Sequence, residues 1–210
     1  VMAGGLGTRM CSAVPKHLHS VLGRRLIDWV IGSLEPLEPD QIILVSSPQA
    51  HDALRESLGK AITVITQSEP RGTGDAVARA RSYVTSAAGD VVVIPGDTPL
   101  LTSEALVRLL ETHRASEASA TVLAFEPPDA GAYGRIVRNQ DGSLERIVEA
   151  AEAAPEELAL REVNSSVYVF RADALWGALG SLTSDNAQGE LYLTDAVGIL
   201  VDSGHRVEVA

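Results

Sequence analysis

Aromatic residues make up only 4% of this 210-residue chain, so Ala, Val, Leu and Ile must fill its interior. Its single cysteine, Cys11, cannot close an internal disulfide, which suits a reducing cytoplasm. No apolar run reaches the roughly 18 residues of a membrane span, and no signal-peptide pattern is read at the start. Positive charge is scarce too: 17 Lys and Arg face 28 Asp and Glu, a formal charge of −11. Nucleic acid and anionic membranes are therefore disfavoured as partners, because both repel an acidic surface. The five histidines lack zinc-ligand spacing, and His19 reads as a helix-face or core residue. No Ser-His-Asp or Gly-x-Ser-x-Gly pattern offers a protein nucleophile. With 45% hydrophobic residues, the chain can build one globular domain with a sizeable core.

What is present begins with Val1-Met2-Ala3-Gly4-Gly5-Leu6-Gly7-Thr8-Arg9-Met10, an apolar start running into a glycine turn that ends in a cation. Gly4, Gly5 and Gly7 let the backbone curl and aim successive N–H groups into one concave space, an anion cradle. Arg9 and Lys16 add two full positive charges beside it. The dinucleotide fingerprint fails, because Met10 stands where its third glycine should be, and no Gly-Lys-Ser/Thr run exists. A bare glycine turn is often only a tight connection. Followed by Thr8-Arg9 and Pro15-Lys16, it reads as a polyphosphate site.

Strands and helices then alternate. Leu26 to Leu34 reads as a short helix, 41–45 as a buried strand, and Gln49 to Leu58 as a helix closed by Gly59. Ile62 to Ile65 is a second buried strand, and Gly72 opens a long helix through Ala76, Ala80 and Val84. Asp90 to Ile94 is a third strand, ending in Pro95-Gly96-Asp97, and Ser103 to His113 is a helix. This rhythm predicts a largely parallel sheet with helices on both faces. From about Ala118 the pattern changes to Thr121–Phe125, a hairpin about Asp141-Gly142, and a strand from Glu162 to Phe170. Residues 150–159 read as a short solvated helix or loop, and helices follow over Ala172–Leu179 and Leu191–Leu200. The expectation is a single domain over 1–210, with a nucleotide half (about 1–117) and a β-rich lid or substrate wall (about 118–210). Val1 falls inside an apparent strand and Val207-Glu208-Val209 reads as a strand cut short, so both ends are expected to be trimmed.

Asp97 lies at the carboxyl end of a buried strand, the edge where open α/β sheets bind ligands. A carboxylate there suits a hard dication such as Mg²⁺ bridging phosphates, although it also suits an N-cap or turn. Gln67 and the Gly72-Thr73-Gly74 loop belong to the same edge. The glutamine amide can read a pyrimidine through one donor and one acceptor, and the plain alternative is a helix start. Tyr133-Gly134-Arg135, Glu149 and Asn164 are candidates for a sugar pocket, each ordinary when taken alone.

The strings Gly-Gly-Leu-Gly-Thr-Arg-Met, Pro-Gly-Asp-Thr-Pro-Leu, Tyr-Gly-Arg-Ile, Ile-Val-Glu, Glu-Val-Asn and Asp-Asn-Ala-Gln-Gly-Glu-Leu-Tyr-Leu-Thr-Asp occur in that order. Together they resemble the sugar-1-phosphate nucleotidyltransferases. Within that family the chain is similar to the N-terminal uridylyltransferase domain of the bacterial enzymes that pair it with a glucosamine-1-phosphate acetyltransferase. The resemblance implies a Rossmann-like, three-layer α/β/α fold with a mostly parallel mixed sheet and a sugar-binding lid. It implies that UTP meets Met2, Ala3, Gly4, Gly5, Gly7, Thr8, Gln67, Gly72 and Thr73. Arg9 and Lys16 would act on the phosphates, Asp97 would bind Mg²⁺, and Gly134, Glu149 and Asn164 would hold N-acetylglucosamine. The family's asparagine metal ligand would fall beyond Ala210. Its hexapeptide acetyltransferase repeats are absent from this chain, and they make the full-length family protein a homotrimer. Ser165-Ser166 after Asn164, Pro95 before Gly-Asp and Ala132 before Tyr-Gly-Arg depart from the family pattern.

The implied reaction is in-line attack of N-acetylglucosamine 1-phosphate on the α-phosphorus of UTP, giving UDP-N-acetylglucosamine and pyrophosphate in the cytoplasm for cell-envelope precursors. Positioning and charge neutralisation suffice for it. Alternatives are a sibling using another sugar phosphate or nucleotide, a molybdopterin-type guanylyl- or cytidylyltransferase, and a nucleotide-binding regulatory module without turnover.

Overall fold

Short runs of β-branched and aliphatic residues build most strands of this chain, and a glycine or proline follows closely after several of them, as Gly4, Pro48 and Pro95 do. The computed structural model describes residues 1–5, 7, 10–12, 14–86 and 88–210. It is mixed α/β with parallel sheet elements, and its chain forms two units. Unit one comprises Val1–Pro70, Arg79–Thr85 and Ile94–Arg108; unit two comprises Arg71–Ala78, Ser86–Val93 and Leu109–Ala210.

Unit one opens with β1 (Met2–Ala3), followed by a small hairpin of β2 (Ser20–Val21) and β3 (Arg24–Arg25). Helix α1 (Leu26–Leu34) buries Leu26, Ile27, Val30 and Leu34, an apolar stripe at helical spacing. Then come β4 (Ile43–Ser46), α2 (Pro48–Leu58) and β5 (Thr63–Thr66). Pro48 starts α2 where a missing N–H costs nothing, and Gly59 leaves it with φ +71°. The parallel sheet runs β1-β4-β5, with Met2 opposite Val45 and Ile43 opposite Thr63. Residues 94–96 continue it on the other side of β1. Met2 N–H donates to the Ile94 carbonyl at 2.8 Å, and Gly96 N–H to the Met2 carbonyl at 2.7 Å. Ala3, Ile27, Leu44, Ala50 and Leu54 form the core under this sheet. Four strand ends therefore share one carboxyl edge.

Unit two holds most of α3 (Thr73–Ala80), β6 (Asp90–Val93) and the second half of α4 (Ser103–Ala115). It continues with β7 (Ala120–Phe125), β8 (Arg135–Arg138), β9 (Leu144–Val148), α5 (Pro155–Leu158) and β10 (Val163–Arg171). Helices α6 (Ala172–Leu179) and α7 (Leu193–Asp202) and strand β11 (Val207–Val209) complete it. The six-stranded sheet runs β11-β7-β10-β8-β9, with β6 also on β10. β10 is antiparallel to β6, β7 and β8, and β11 is parallel to β7. Val167, Tyr168, Val169 and Phe170 are all buried in succession, which marks β10 as covered on both faces.

Some expected boundaries shift. The helix after Gly72 ends at Ala80 and passes into a 3-10 turn over Arg81–Tyr83, with Val84 extended. The last helix runs Leu193–Asp202, two residues later than expected, because the backbone of Leu191 and Leu193 is bonded elsewhere. The strand at Asp90 finds its main partner in antiparallel β10, and only its continuation at 94–96 joins the parallel sheet. His17 and His113, not His19, are the buried histidines, at 3% and 2% exposed, while the His19 ring bonds the Val14 carbonyl at 3.1 Å.

Candidate functional site

In unit one Gly4, Gln67, Lys16 and Asp97, of the expected nucleotide and metal residues, cluster at the carboxyl edge of the parallel strands. Gly4 follows β1, and a Cβ on it would lie 3.0 Å from Gln67 Oε1. Gln67 is buried, and its N–H donates to the Ser46 carbonyl at 2.8 Å, so it extends β5 by one ladder bond. Gly7 is left-handed (φ +61°), and a Cβ there would stand 2.7 Å from Lys16 Cβ. Only glycine lets the Lys16 stem pack this close. Gly5 stands in open space. Thr8 and Arg9 lie outside the described residues.

Lys16 leads a 3-10 turn after Pro15, and its ammonium pairs with Asp97 Oδ2. Asp97 is placed by Gly96, where a Cβ would meet His17 Cδ2 at 3.0 Å and both Ala3 Cβ and the Met2 carbonyl at 3.2 Å. Thr98 Oγ1 donates to the Pro95 carbonyl at 3.0 Å and closes that turn. Both ion-pair side chains are 28% exposed, so the pair adds at most about 1 kcal/mol to stability. Its value is placement: an ammonium and a carboxylate stand together at the strand ends. Burial holds His17 down to about pKa 4, with Asp97 opposing and Lys16 reinforcing the shift. The ring beside the pair is therefore neutral at pH 7.

In unit two the three expected sugar residues come together. Asn164 N–H donates to the Gly134 carbonyl at 2.9 Å, and a Cβ on Gly134 would lie 3.5 Å from Glu149 Oε2. A bulge interrupts β10 between Asn164 and Val167, with Ser166 left-handed at φ +62°. The Asn164 amide donates to Tyr168 Oη at 2.7 Å, and its oxygen accepts from Ser166 N–H at 3.0 Å. Glu149 has its pKa raised by burial; the Thr194 hydroxyl, donating at 2.9 Å, opposes this, and Asp195 and Glu152 add to it. Arg135 is buried and donates to the carbonyls of Gly131 and Tyr133, so it holds its own loop. Gly72 is left-handed (φ +99°), and a Cβ there would lie 2.5 Å from the Leu191 carbonyl. Thr73 Oγ1 accepts from Leu193 N–H at 2.9 Å.

Sequence reasoning missed His17, Tyr168 and Thr194. Thr194 belongs to the most distinctive string of the chain, so its signal was present without a role. Tyr168, four residues after Asn164, gave no signal, because a tyrosine in an apolar strand reads as core.

A lone strand-end carboxylate such as Asp97 suits Mg²⁺, which keeps several water or substrate oxygens as ligands. Among the described residues no three His, Cys, Asp or Glu side chains form a cage by themselves. Asp97 by itself could supply one carboxylate ligand to such an ion. No helix among the described residues is long and apolar enough to cross a membrane.

The sequence pattern of a family described as "Nucleotidyl transferase" matches residues 1–209. The chain is 42% identical over 207 residues to a protein named "Bifunctional protein GlmU" from Brevibacillus brevis, covering 99% of this chain and 45% of that one. A protein of the same name from Mycobacterium marinum is 44% identical over 215 residues, covering 99% and 44%. The chain thus spans about half the length of the curated relatives it matches. A solved structure, described as a putative glucose-1-phosphate thymidylyltransferase from Bacillus anthracis in complex with a sucrose, superposes with a TM-score of 0.77. It is 19% identical, covers 100% of this chain and 84% of its own, and shares the fold.

Proposed function

The chain belongs to the nucleotidyl transferase family, and from that premise we propose that it transfers a uridylyl group from UTP to N-acetylglucosamine 1-phosphate. A phosphate oxygen of the sugar phosphate attacks the α-phosphorus, the bond to the β-phosphate oxygen breaks, and pyrophosphate leaves with the electron pair. The observation that carries this reading is the Lys16–Asp97 pair at the strand ends beside Gly4 and Gly7. An ammonium and a carboxylate held there exchange each other for a polyphosphate and its counter-cation.

In this reading the Lys16 ammonium binds the phosphates and opposes the charge that grows on them, and Arg9 does the same. Asp97 holds Mg²⁺, which when bound neutralises phosphate charge and polarises the reacting phosphorus. The backbone of Met2, Ala3, Gly4, Gly5, Gly7 and Thr8, with Gln67, holds the nucleotide, and Gly72 and Thr73 also contact it. Gly134, Glu149 and Asn164 take the sugar through its hydroxyls and acetamido group. The single cysteine and the family's envelope-precursor product fit a cytoplasmic enzyme.

Pyrophosphate release tests the reading directly. Purified protein with UTP and Mg²⁺ should turn over N-acetylglucosamine 1-phosphate in preference to glucose 1-phosphate. Turnover of glucose 1-phosphate alone would reassign the sugar. UTP binding with no Mg²⁺-dependent product from any sugar phosphate would favour a regulatory module.

A further inference from the structure

Between Asn186 and Thr194 a strap of unit two ties together groups far apart in sequence. Leu191 N–H donates to the Arg71 carbonyl at 2.7 Å, and Gly74 N–H returns a bond of 2.7 Å to the Leu191 carbonyl. Leu193 N–H then donates to Thr73 Oγ1 at 2.9 Å. Gly72 and Gly74 admit this contact only because they lack a Cβ, which would stand 2.5 and 2.9 Å from the Leu191 carbonyl. The other end of the strap is closed by Asn186, whose oxygen accepts Glu190 N–H at 3.0 Å and whose amide donates to the Glu190 carbonyl at 2.5 Å. The residue after this stitching is Thr194. It is 4% exposed, and its hydroxyl donates to Glu149 Oε1 at 2.9 Å.

We infer that Thr194 is a positioning residue for the sugar: it fixes one oxygen of Glu149 so that the other, Oε2, faces the space over Gly134, and the strap fixes Thr194. This rests on the reading of Glu149 as a sugar ligand. Thr194 itself touches no substrate in this account. A half-buried carboxylate with one oxygen held by a donor presents the other along one direction, which a sugar N–H or O–H can meet. Without the hydroxyl the carboxylate loses the hydrogen bond that orients it and offsets its burial.

The test compares Thr194→Val, which keeps shape and removes the donor, with Thr194→Ser, which restores it. Asn186→Ala loosens the strap from its far end. Thr194→Val should raise KM for N-acetylglucosamine 1-phosphate about tenfold and leave KM for UTP within about twofold. The acid limb of its kcat/KM profile for the sugar phosphate should move to higher pH, since Thr194 holds the Glu149 pKa down. The other groups acting on or near that carboxylate, Asp195, Glu152, Tyr168 and Tyr192, are unchanged in every variant. Thr194→Ser should return both KM and the limb to wild type. Asn186→Ala should raise the sugar KM about threefold, and the double variant should fall short of the product of the two effects. An unmoved sugar KM and acid limb in Thr194→Val, or a serine variant that folds but rescues neither, overturns the inference. If the valine variant fails to melt cooperatively, an unchanged sugar KM in Asn186→Ala overturns it equally. Wild-type protein with no turnover of UTP and sugar phosphate sinks the reaction itself, whereas active wild type with an indifferent Thr194→Val sinks this inference alone.

Discussion

In unit one a Cβ would stand 2.7 Å from Lys16 Cβ at Gly7 and 3.0 Å from its nearest neighbour at Gly4 and Gly96, so close backbone approach shapes the cluster around Lys16 and Asp97. In unit two, hydroxyls do much of the corresponding work: Tyr168 accepts from Asn164, Thr194 holds Glu149, and Thr73 anchors the strap, while the Ser166 backbone N–H also holds Asn164. A backbone cradle is indifferent to side-chain identity except where glycine is required, which suits the phosphates common to every nucleotide. Side-chain hydrogen bonds read direction and donor type, which suits a sugar whose hydroxyls distinguish it from its siblings. In the proposed reaction most of the phosphate chemistry would fall to unit one and the choice of sugar to unit two, with Gly72 and Thr73 of unit two also on the nucleotide.

The strongest way to break that division is Lys16→Ala. Its loss should cost about 2.7–4 kcal/mol of barrier, or roughly two to three orders of magnitude in kcat, with the preference among sugar phosphates unchanged. Steady-state pyrophosphate release across a sugar panel measures both. A variant that keeps its rate but changes its sugar preference would reverse the roles of the units.

His17 sharpens the description of unit one. Its pKa lies near 4 in the folded chain against 6.5 unfolded, a depressed value, so the unfolded state takes up the proton first on acidification. The associated stability is whole above pH 6.5 and is lost as pH falls toward about 4. The loss is on the order of 1–3 kcal/mol. Denaturant unfolding at a series of pH values should show this slope in wild type and a flatter one in His17→Asn. His113, also lowered by burial, leaves a residual slope of the same sign.

Ser166→Gly probes unit two with the smallest expected effect. Glycine relieves the strain of serine at φ +62° but removes the Ser166 side-chain hydrogen bond to Tyr168, so the two offset and thermal or denaturant unfolding should change by no more than about 0.5 kcal/mol. The Asn164 hydrogen bond to Ser166 N–H uses backbone and survives the change. A loss well above that would mean that the hydroxyl contact with Tyr168 outweighs the backbone strain.

The same contrast explains what could be read from the chain before any coordinates. Glycine requirements are local, so Gly4, Gly7 and the Gly96-Asp97 turn announced themselves, and Lys16 stood at a fixed distance after them. The buried strands at Ile43–Ser46 and Thr63–Thr66 were legible as continuous apolar runs. The pairing of Asp90–Val93 with β10 was not, since it joins residues some eighty positions apart and leaves no periodic mark. The bulge at Ser166 and the bonds of Tyr168 and Thr194 were hidden for a related reason. Each depends on a partner brought close only by the fold, and each residue alone looks like core or helix start. The early end of α3 at Ala80 is a smaller case, where a 3-10 turn replaced the last helical residues despite a favourable alanine pattern.

The central claim is that the strand-end carboxylate of unit one, next to Lys16, holds a divalent cation together with the triphosphate. Binding of Mn²⁺ to the protein–UTP complex, followed by electron paramagnetic resonance in wild type and Asp97→Asn, tests it most directly. The account predicts that the asparagine variant binds the ion at least about tenfold more weakly while still folding as wild type does. Equal Mn²⁺ affinity in the two proteins would contradict it.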